Sequence, residues 1–297
     1  MGRKPIFSRS DGVYLKNIDP LTRFLPFIMK GRNESAVYFK LQIDATELRE
    51  YLLEKNREAA ASGVGHKATI FHAVLAASVK SIVERPHVNR FIIGKRLYQR
   101  KDFTVAYVIK SEFNDQASEE LAIMKFNQDD TIQTISERIS AENRKVRHNV
   151  KENAKKRHGA VNWLQYFLSL PRFLLNGFVR FLAWLDYHGW LPKSVIEADP
   201  MHTSMFLSNL GSLHIDAPFH HLYEWGTTPI FLTVGVISKI PMVMPDKTIA
   251  IREVFNLGVT ADERICDGFY FAKTMKRFQY FLEHPSELEK PSKPPEA

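Results

Sequence analysis

The fold class this sequence predicts is a mixed α/β sandwich. Segments that alternate apolar and polar residues are interleaved with segments whose apolar residues recur at helical spacing. The order of these segments lacks the regular strand–helix–strand repeat of a doubly wound sheet. At 297 residues, 44% hydrophobic and 25% charged, the chain has the composition of a globular protein with one large domain or two smaller ones.

Residues 35–43 alternate as a strand, and Asp44 is positioned to cap a helix running to Glu58. From Ala68 to Glu84, Phe71, Val74, Leu75, Val79, Ile82 and Val83 give a helix with a broad buried face. Arg90 to Gln99 reads as two short strands joined at Gly94-Lys95, and Phe103 to Ile109 as a further strand. Leu121 to Phe126 adds another, before Thr131, whose hydroxyl can cap a helix carrying Ile132, Ile135 and Ile139. Phe269 to His284 reads as the last helix. The expected organisation is one domain over residues 1–284 and a disordered tail over 285–297, rich in Pro, Ser and charge.

The most apolar stretch, Trp163 to Trp190, is interrupted by Gln165, Pro171, Arg172, Asn176 and Arg180. No uninterrupted run reaches the roughly 20 residues a spanning helix needs, so two amphipathic helices broken near Pro171 are expected. They are expected to pack on the domain or a neighbouring subunit, with a membrane-surface contact through 163–190 as the alternative.

The single cysteine, Cys266, excludes an intrachain disulfide and a Cys-rich metal site, and no secretory leader is readable, so a cytoplasmic protein is expected. The net charge of +8 is concentrated in Arg144, Lys145, Arg147, Lys151, Lys155, Lys156 and Arg157. A solvated helix end is the expected reading of that run. No zinc finger, helix-turn-helix or aromatic-basic motif accompanies it, so no nucleic-acid partner is expected.

Three segments carry the chemistry. Residues 261–268 read Ala-Asp-Glu-Arg-Ile-Cys-Asp-Gly, residues 205–213 read Met-Phe-Leu-Ser-Asn-Leu-Gly-Ser-Leu, and residues 231–235 read Phe-Leu-Thr-Val-Gly. Together they resemble the chloramphenicol acetyltransferase-like superfamily, in particular the catalytic domain of 2-oxo acid dehydrogenase dihydrolipoyl acyltransferases. That group has an Asp-His-Arg-x-x-Asp-Gly signature and an upstream Phe-Thr-Ile-Ser-Asn-Leu-Gly block. Asp262, Arg264, Asp267 and Gly268 match the signature, but Glu263 occupies the position of the general-base histidine.

The resemblance implies a two-layer sandwich with a mixed sheet, a homotrimer with sites between subunits, and coenzyme A or an acyl-coenzyme A as substrate. Ser208 would be the oxyanion donor, with Asn209, Asp262, Arg264, Asp267 and Gly268 supporting the site and Asp267 in a structural salt bridge. Glu263 is either a recruited base or a structural or ligand-contacting carboxylate beside Arg264. An ordinary Glu is a weak base near neutrality, although burial can raise its pKa.

His220 and His221 are the candidates for a base from elsewhere. At most one of two adjacent strand residues would face a common site. Zinc is not expected there, because no Cys/His ligand spacing accompanies the pair. Cys266 reads as a small buried hydrophobe. No lipoyl domain or Ala/Pro-rich linker is readable. The function expected is transfer of an acyl group from a thioester to a small acceptor by a non-standard site. The alternative is an inactive relative serving as a trimeric binding or scaffold protein.

Overall fold

The computed structural model describes residues 9–63, 65–110, 119–152 and 169–293. Within them, β1 (Gly12–Tyr14), β3 (Arg90–Ile93) and β4 (Arg96–Arg100) form a small antiparallel sheet in the order β1-β4-β3. The main sheet contains β2 (Ala36–Asp44), β5 (Phe103–Lys110), β6 (Glu119–Phe126), β7 (Met205–Asn209), β8 (Ile230–Val243) and β9 (Ile249–Asp262). Its order is β2-β9-β8-β7-β5-β6. β7 runs parallel to both β5 and β8, and the other neighbours pair antiparallel, so the sheet is mixed as expected.

The helices are α1 (Pro20–Ile28), α2 (Thr46–Ala61), α3 (Ile70–Glu84), α4 (Ile132–Glu152), α5 (Arg172–His188), α6 (Lys193–Ala198) and α7 (Gly268–Glu283). Strand alternation decides which layer covers which face. Val105, Tyr107, Leu207, Leu232, Val234, Leu257 and Val259 point into one core with Leu48 of α2, Val74 and Leu75 of α3, Ile135 and Ile139 of α4, and Phe271 and Phe281 of α7. Ala106, Phe206 and Phe231 point the other way and meet Leu222 from the loop before β8. Among the described residues, the loop before β8 lies over this outer face, and that is where the candidate site lies.

The β3–β4 turn is the expected hairpin. Gly94 and Lys95 both take positive φ (58° and 57°), the backbone that two-residue turns require. Thr131 accepts from the Thr134 amide at 3.4 Å, at the start of α4. Asp44 does not cap α2. The helix begins after Ala45, and Asp44 closes the preceding turn through the Thr46 amide (3.0 Å) and hydroxyl (2.7 Å) while pairing with Arg252 (2.6 Å).

α5 starts directly after Pro171, which fits a break at that residue. The helix expected before it lies largely outside the described residues, as do the side chains of the basic run from Arg147 onwards; Arg144 and Lys145 are exposed. The expectation of a disordered tail from residue 285 is corrected as far as residue 293. Pro285–Glu289 form a 3-10 turn, Leu288 is fully buried, Glu289 accepts from Tyr51 (2.9 Å) and pairs with Lys55 (2.9 Å), and the Ser292 amide bonds Gln128. One apolar side chain and two partners on α2 outweigh the polar composition around them.

Candidate functional site

The loop that ends β9 is built around a buried ion pair. Arg264 donates from Nε and an Nη to the two oxygens of Asp262 at 2.8 and 2.7 Å, and its other Nη bonds the Met29 carbonyl at 2.7 Å. Both residues are buried, and the Arg264 amide closes the turn onto Asp262 at 3.1 Å. Asp267 caps α7 by accepting from the Tyr270 amide at 2.9 Å. The salt bridge of this loop is therefore Asp262–Arg264, whereas the resemblance had implied one at Asp267.

Glu263 sits between these anchors with its amide bonded to the Ser35 carbonyl (3.0 Å) and its side chain exposed. Arg264 is committed to Asp262, so it is not the ion-pair partner of Glu263. Cys266 is buried, and burial pushes its thiol pKa up, the reverse of what a nucleophile needs.

Ser208 lies near the end of β7. It shares a strand face with Phe206, since side chains two apart point alike, and is half-buried. It is in register with Thr233 of β8, which is in register with Gly258 of β9. The loop from Gly211 to Pro229 crosses this face at close range. A Cβ on Gly235 would stand 2.5 Å from an oxygen of Asp216 and 2.6 Å from the Ala217 nitrogen, and one on Gly258 would stand 2.5 Å from the Pro218 carbonyl. Asn256 fixes Asp216 from below at 2.9 and 3.1 Å, and the Thr233 hydroxyl donates to the Pro218 carbonyl at 2.5 Å.

The same loop carries the two histidines. His220 stacks on Phe231 with ring centroids 3.9 Å apart, on the Ser208 face, while His221 is exposed and stacks on His220 at 4.6 Å. Their neighbours have structural roles. Glu224 accepts from the Arg32 and Asn33 amides (3.1 and 3.0 Å), and these bonds outweigh its partial burial and lower its pKa. The Trp225 indole donates to Asp199 at 2.5 Å.

Within one chain, Ser208 and Glu263 do not meet. Glu263 lies five residues beyond Gly258, the β9 residue in line with Ser208, and two strands across. At a rise of about 3.3 Å and a strand spacing of about 4.8 Å, the two are on the order of 19 Å apart. His220 lies over β8 only two residues along from the position level with Ser208. Asn209 faces the opposite side of the sheet and lines a cavity of about 480 Å³ with Arg49, Phe71, Gly211, Ser212 and Gly235.

The sequence reading missed a buried charge network beside the histidine loop. His202 places one ring nitrogen 3.2 Å from Asp186 and the other 3.0 Å from Asp199. Burial alone would lower its pKa, but the two carboxylates outweigh burial and raise it. Arg9 bonds Asp186 at 2.7 Å and Asp11 at 2.8 Å, and Arg100 bonds the His202 and Thr227 carbonyls at 2.9 and 3.1 Å. Among the described residues, no group of three or more His, Cys, Asp or Glu could hold a metal ion, and no helix is long and apolar enough to cross a membrane.

Comparison with known proteins agrees with this architecture. Residues 194–289 match the family model of the 2-oxoacid dehydrogenases acyltransferase catalytic domain. A structure described as a probable dihydrolipoamide acetyltransferase from Listeria monocytogenes matches with TM-score 0.59 and 17% identity, over 92% of this chain and 95% of that one. The cubic core of the pyruvate dehydrogenase multienzyme complex matches with TM-score 0.59 and 15% identity, over 92% and 94%. The dihydrolipoamide acetyltransferase of Azotobacter vinelandii, studied for the roles of a Ser, a His and an Asn in its catalytic mechanism, matches with TM-score 0.57 and 17% identity, over 92% and 94%. No curated protein matches this chain in sequence. The resemblance to the chloramphenicol acetyltransferase-like superfamily holds: the chain has the fold of these acyltransferase cores, with the family's sequence pattern over its C-terminal third.

Proposed function

We propose that this chain is a coenzyme A-dependent acyltransferase-like protein of the cytoplasm that transfers an acyl group from a thioester to a small hydroxyl, amine or thiol acceptor. Its site would form between the subunits of a homotrimer, with Glu263 of one chain facing Ser208 of another. The observation that carries this reading is the intact signature loop. Asp262, Arg264 and the Asp267 cap hold residue 263 outward beyond the end of β9, on the order of 19 Å from its own Ser208. Such a presentation has use only towards another molecule. Exposed Tyr38, Phe219, Leu213 and Ile215 lie on or beside the outer face, which favours its burial by a second chain.

In this arrangement Glu263 takes the proton of the acceptor as it attacks the thioester carbonyl. The Ser208 hydroxyl donates to the oxyanion, and collapse expels the coenzyme A thiolate, which recovers the proton from Glu263. Subunit closure would also supply the desolvation that makes a carboxylate a competent base.

The test is acyl-coenzyme A turnover with a panel of acceptors. Glu263→Gln should lower it by roughly 10²- to 10⁴-fold with coenzyme A binding retained. Ser208→Ala should cost on the order of 10²-fold. If His220→Ala causes the loss and Glu263→Gln does not, the histidine is the base.

The second reading is a relative without transferase activity that uses the same surfaces to hold a ligand or partner. It is favoured by one observation: the Glu263 side chain is exposed and, among the described residues, its carboxylate makes no hydrogen bond or ion pair. Coenzyme A binding without turnover by the wild type would select it.

A further inference from the structure

Helix α5 carries apolar side chains that the described residues of the domain leave exposed. Phe173 is 72% exposed, and Leu174, Phe181 and Trp184 are exposed too, as is Trp190 just beyond the helix. The helix is fastened at its C-terminal end. There the Asp186 carboxylate takes bonds from Arg9 (2.7 Å) and His202 (3.2 Å), and Arg9 also bonds the Asp186 carbonyl (2.8 Å). From Arg172 to Phe181 every residue is exposed except half-buried Leu175. A helix this apolar gains its stability from what lies against its face, so the surface needs an occupant.

The chemistry of the face selects the occupant. At about 100° per residue, Phe173, Trp184, Phe181 and Leu174 fall within an arc of about 100°, with Arg180 and Arg172 along one edge. Asp186 is the sole acid between residues 169 and 192, and it is buried. The exposed ionic side chains of the helix are thus Arg172 and Arg180, both cationic. At the C-terminal end Trp184, His188 and Trp190 form a ring cluster with centroids 4.6 to 5.2 Å apart, the amphipathic aromatic type that suits a membrane–water boundary. A second copy of the same face would bring four guanidinium groups together with no acid to balance them. An anionic lipid surface balances them directly.

Length decides between spanning and lying flat. Seventeen residues make a helix of about 26 Å, shorter than the roughly 30 Å hydrocarbon core, and Arg180 lies at its middle. We propose that α5 and Trp190 form a peripheral membrane-binding surface, with the aromatic face in the interface of an anionic bilayer and Arg172 and Arg180 at headgroup level.

The test is flotation of the full chain with phosphatidylcholine vesicles, with and without phosphatidylglycerol. The expected result is binding that increases with phosphatidylglycerol and weakens with added salt. Phe173→Glu and Trp184→Glu should each lower the bound fraction about tenfold or more, while the sedimentation coefficient without lipid stays that of the wild type. Quenching of tryptophan fluorescence by brominated lipid checks the same contact without a charged substitution, and Trp184→Phe with Trp190→Phe should remove most of it. Absence of binding to phosphatidylglycerol vesicles would overturn the proposal. So would a changed oligomeric mass in Phe173→Glu, which would show that another copy of the chain covers the face.

Discussion

Replacing His202 by Gln tests the network that fastens both α5 and the histidine loop. The imidazole bridges Asp186 and Asp199, each of which keeps other partners when it is gone. Asp186 retains Arg9 at 2.7 Å, and Asp199 retains the Met201 amide at 2.9 Å and Trp225 at 2.5 Å. Breaking a buried ion pair by removing one member costs about 3–5 kcal/mol, and the remaining donors place this case near the lower end, about 3 kcal/mol. With an m-value of about 3 kcal/mol/M, the urea midpoint should fall by about 1 M. The pH dependence has a definite sign. The folded-state pKa of His202 is raised, so its contribution is fully present below the ordinary histidine value of about 6.5 and is lost as pH rises through the raised value. The pKa values of Asp186 and Asp199 are lowered against the effect of burial, chiefly by hydrogen bonds from His202, so their contribution is present above about 3.9 and is lost as pH falls through the lowered values. Wild type should therefore lose urea resistance as pH rises from about 6.5 through the raised histidine value, by about 1.4 kcal/mol for each unit by which that pKa is raised. Trp225, hydrogen-bonded to Asp199, is one of the fluorescent reporters of the transition. An equal loss in wild type and His202→Gln over that range would refute the assignment of an imidazolium at this site.

Three further outcomes are expected. Sedimentation equilibrium should give about three times the 34.3 kDa chain mass, and a clean monomer would remove the basis for joining Ser208 and Glu263 in one site. Glu263→His should raise acyl-coenzyme A transfer or hydrolysis, since it puts a base of near-neutral pKa on the same loop; no gain in a folded trimer would count against the transferase reading. Gly235→Ala should lower stability by about 1–3 kcal/mol and loosen the loop over β8, because the added methyl would meet the Ala217 nitrogen at 2.6 Å; an unchanged thermal midpoint would show that the loop yields freely.

What was legible in the sequence is what is local. The hairpin at Gly94-Lys95, the start of α4 after Thr131, the start of α5 after Pro171 and the loop from Asp262 to Gly268 each depend on residues a few positions apart. The separation of Ser208 from Glu263 was not legible, because it follows from the register of β7, β8 and β9. The network around His202 was hidden for a related reason. Arg9 and Asp186 are 177 positions apart, and charged residues in a sequence read as surface unless a partner is known. Glu224 and Trp225 follow the histidines closely in sequence, yet their partners, Asn33 and Asp199, are supplied only by the fold.

The same register constrains which base can serve Ser208. If the chain acts alone, Glu263, about 19 Å away, is too far to share a substrate with it, whereas the imidazole of His220 stacks on Phe231 on the same face, beside the neighbouring strand. If the chain acts as a trimer, the buried Asp262–Arg264 pair makes residue 263 a rigid projection whose position does not depend on the identity of its side chain. Glu263→His would then change the proton affinity of the site and leave its geometry intact. Oligomeric state therefore comes before chemistry: it decides whether the carboxylate at 263 or the imidazole at 220 is the group on which a pH–rate profile should be interpreted.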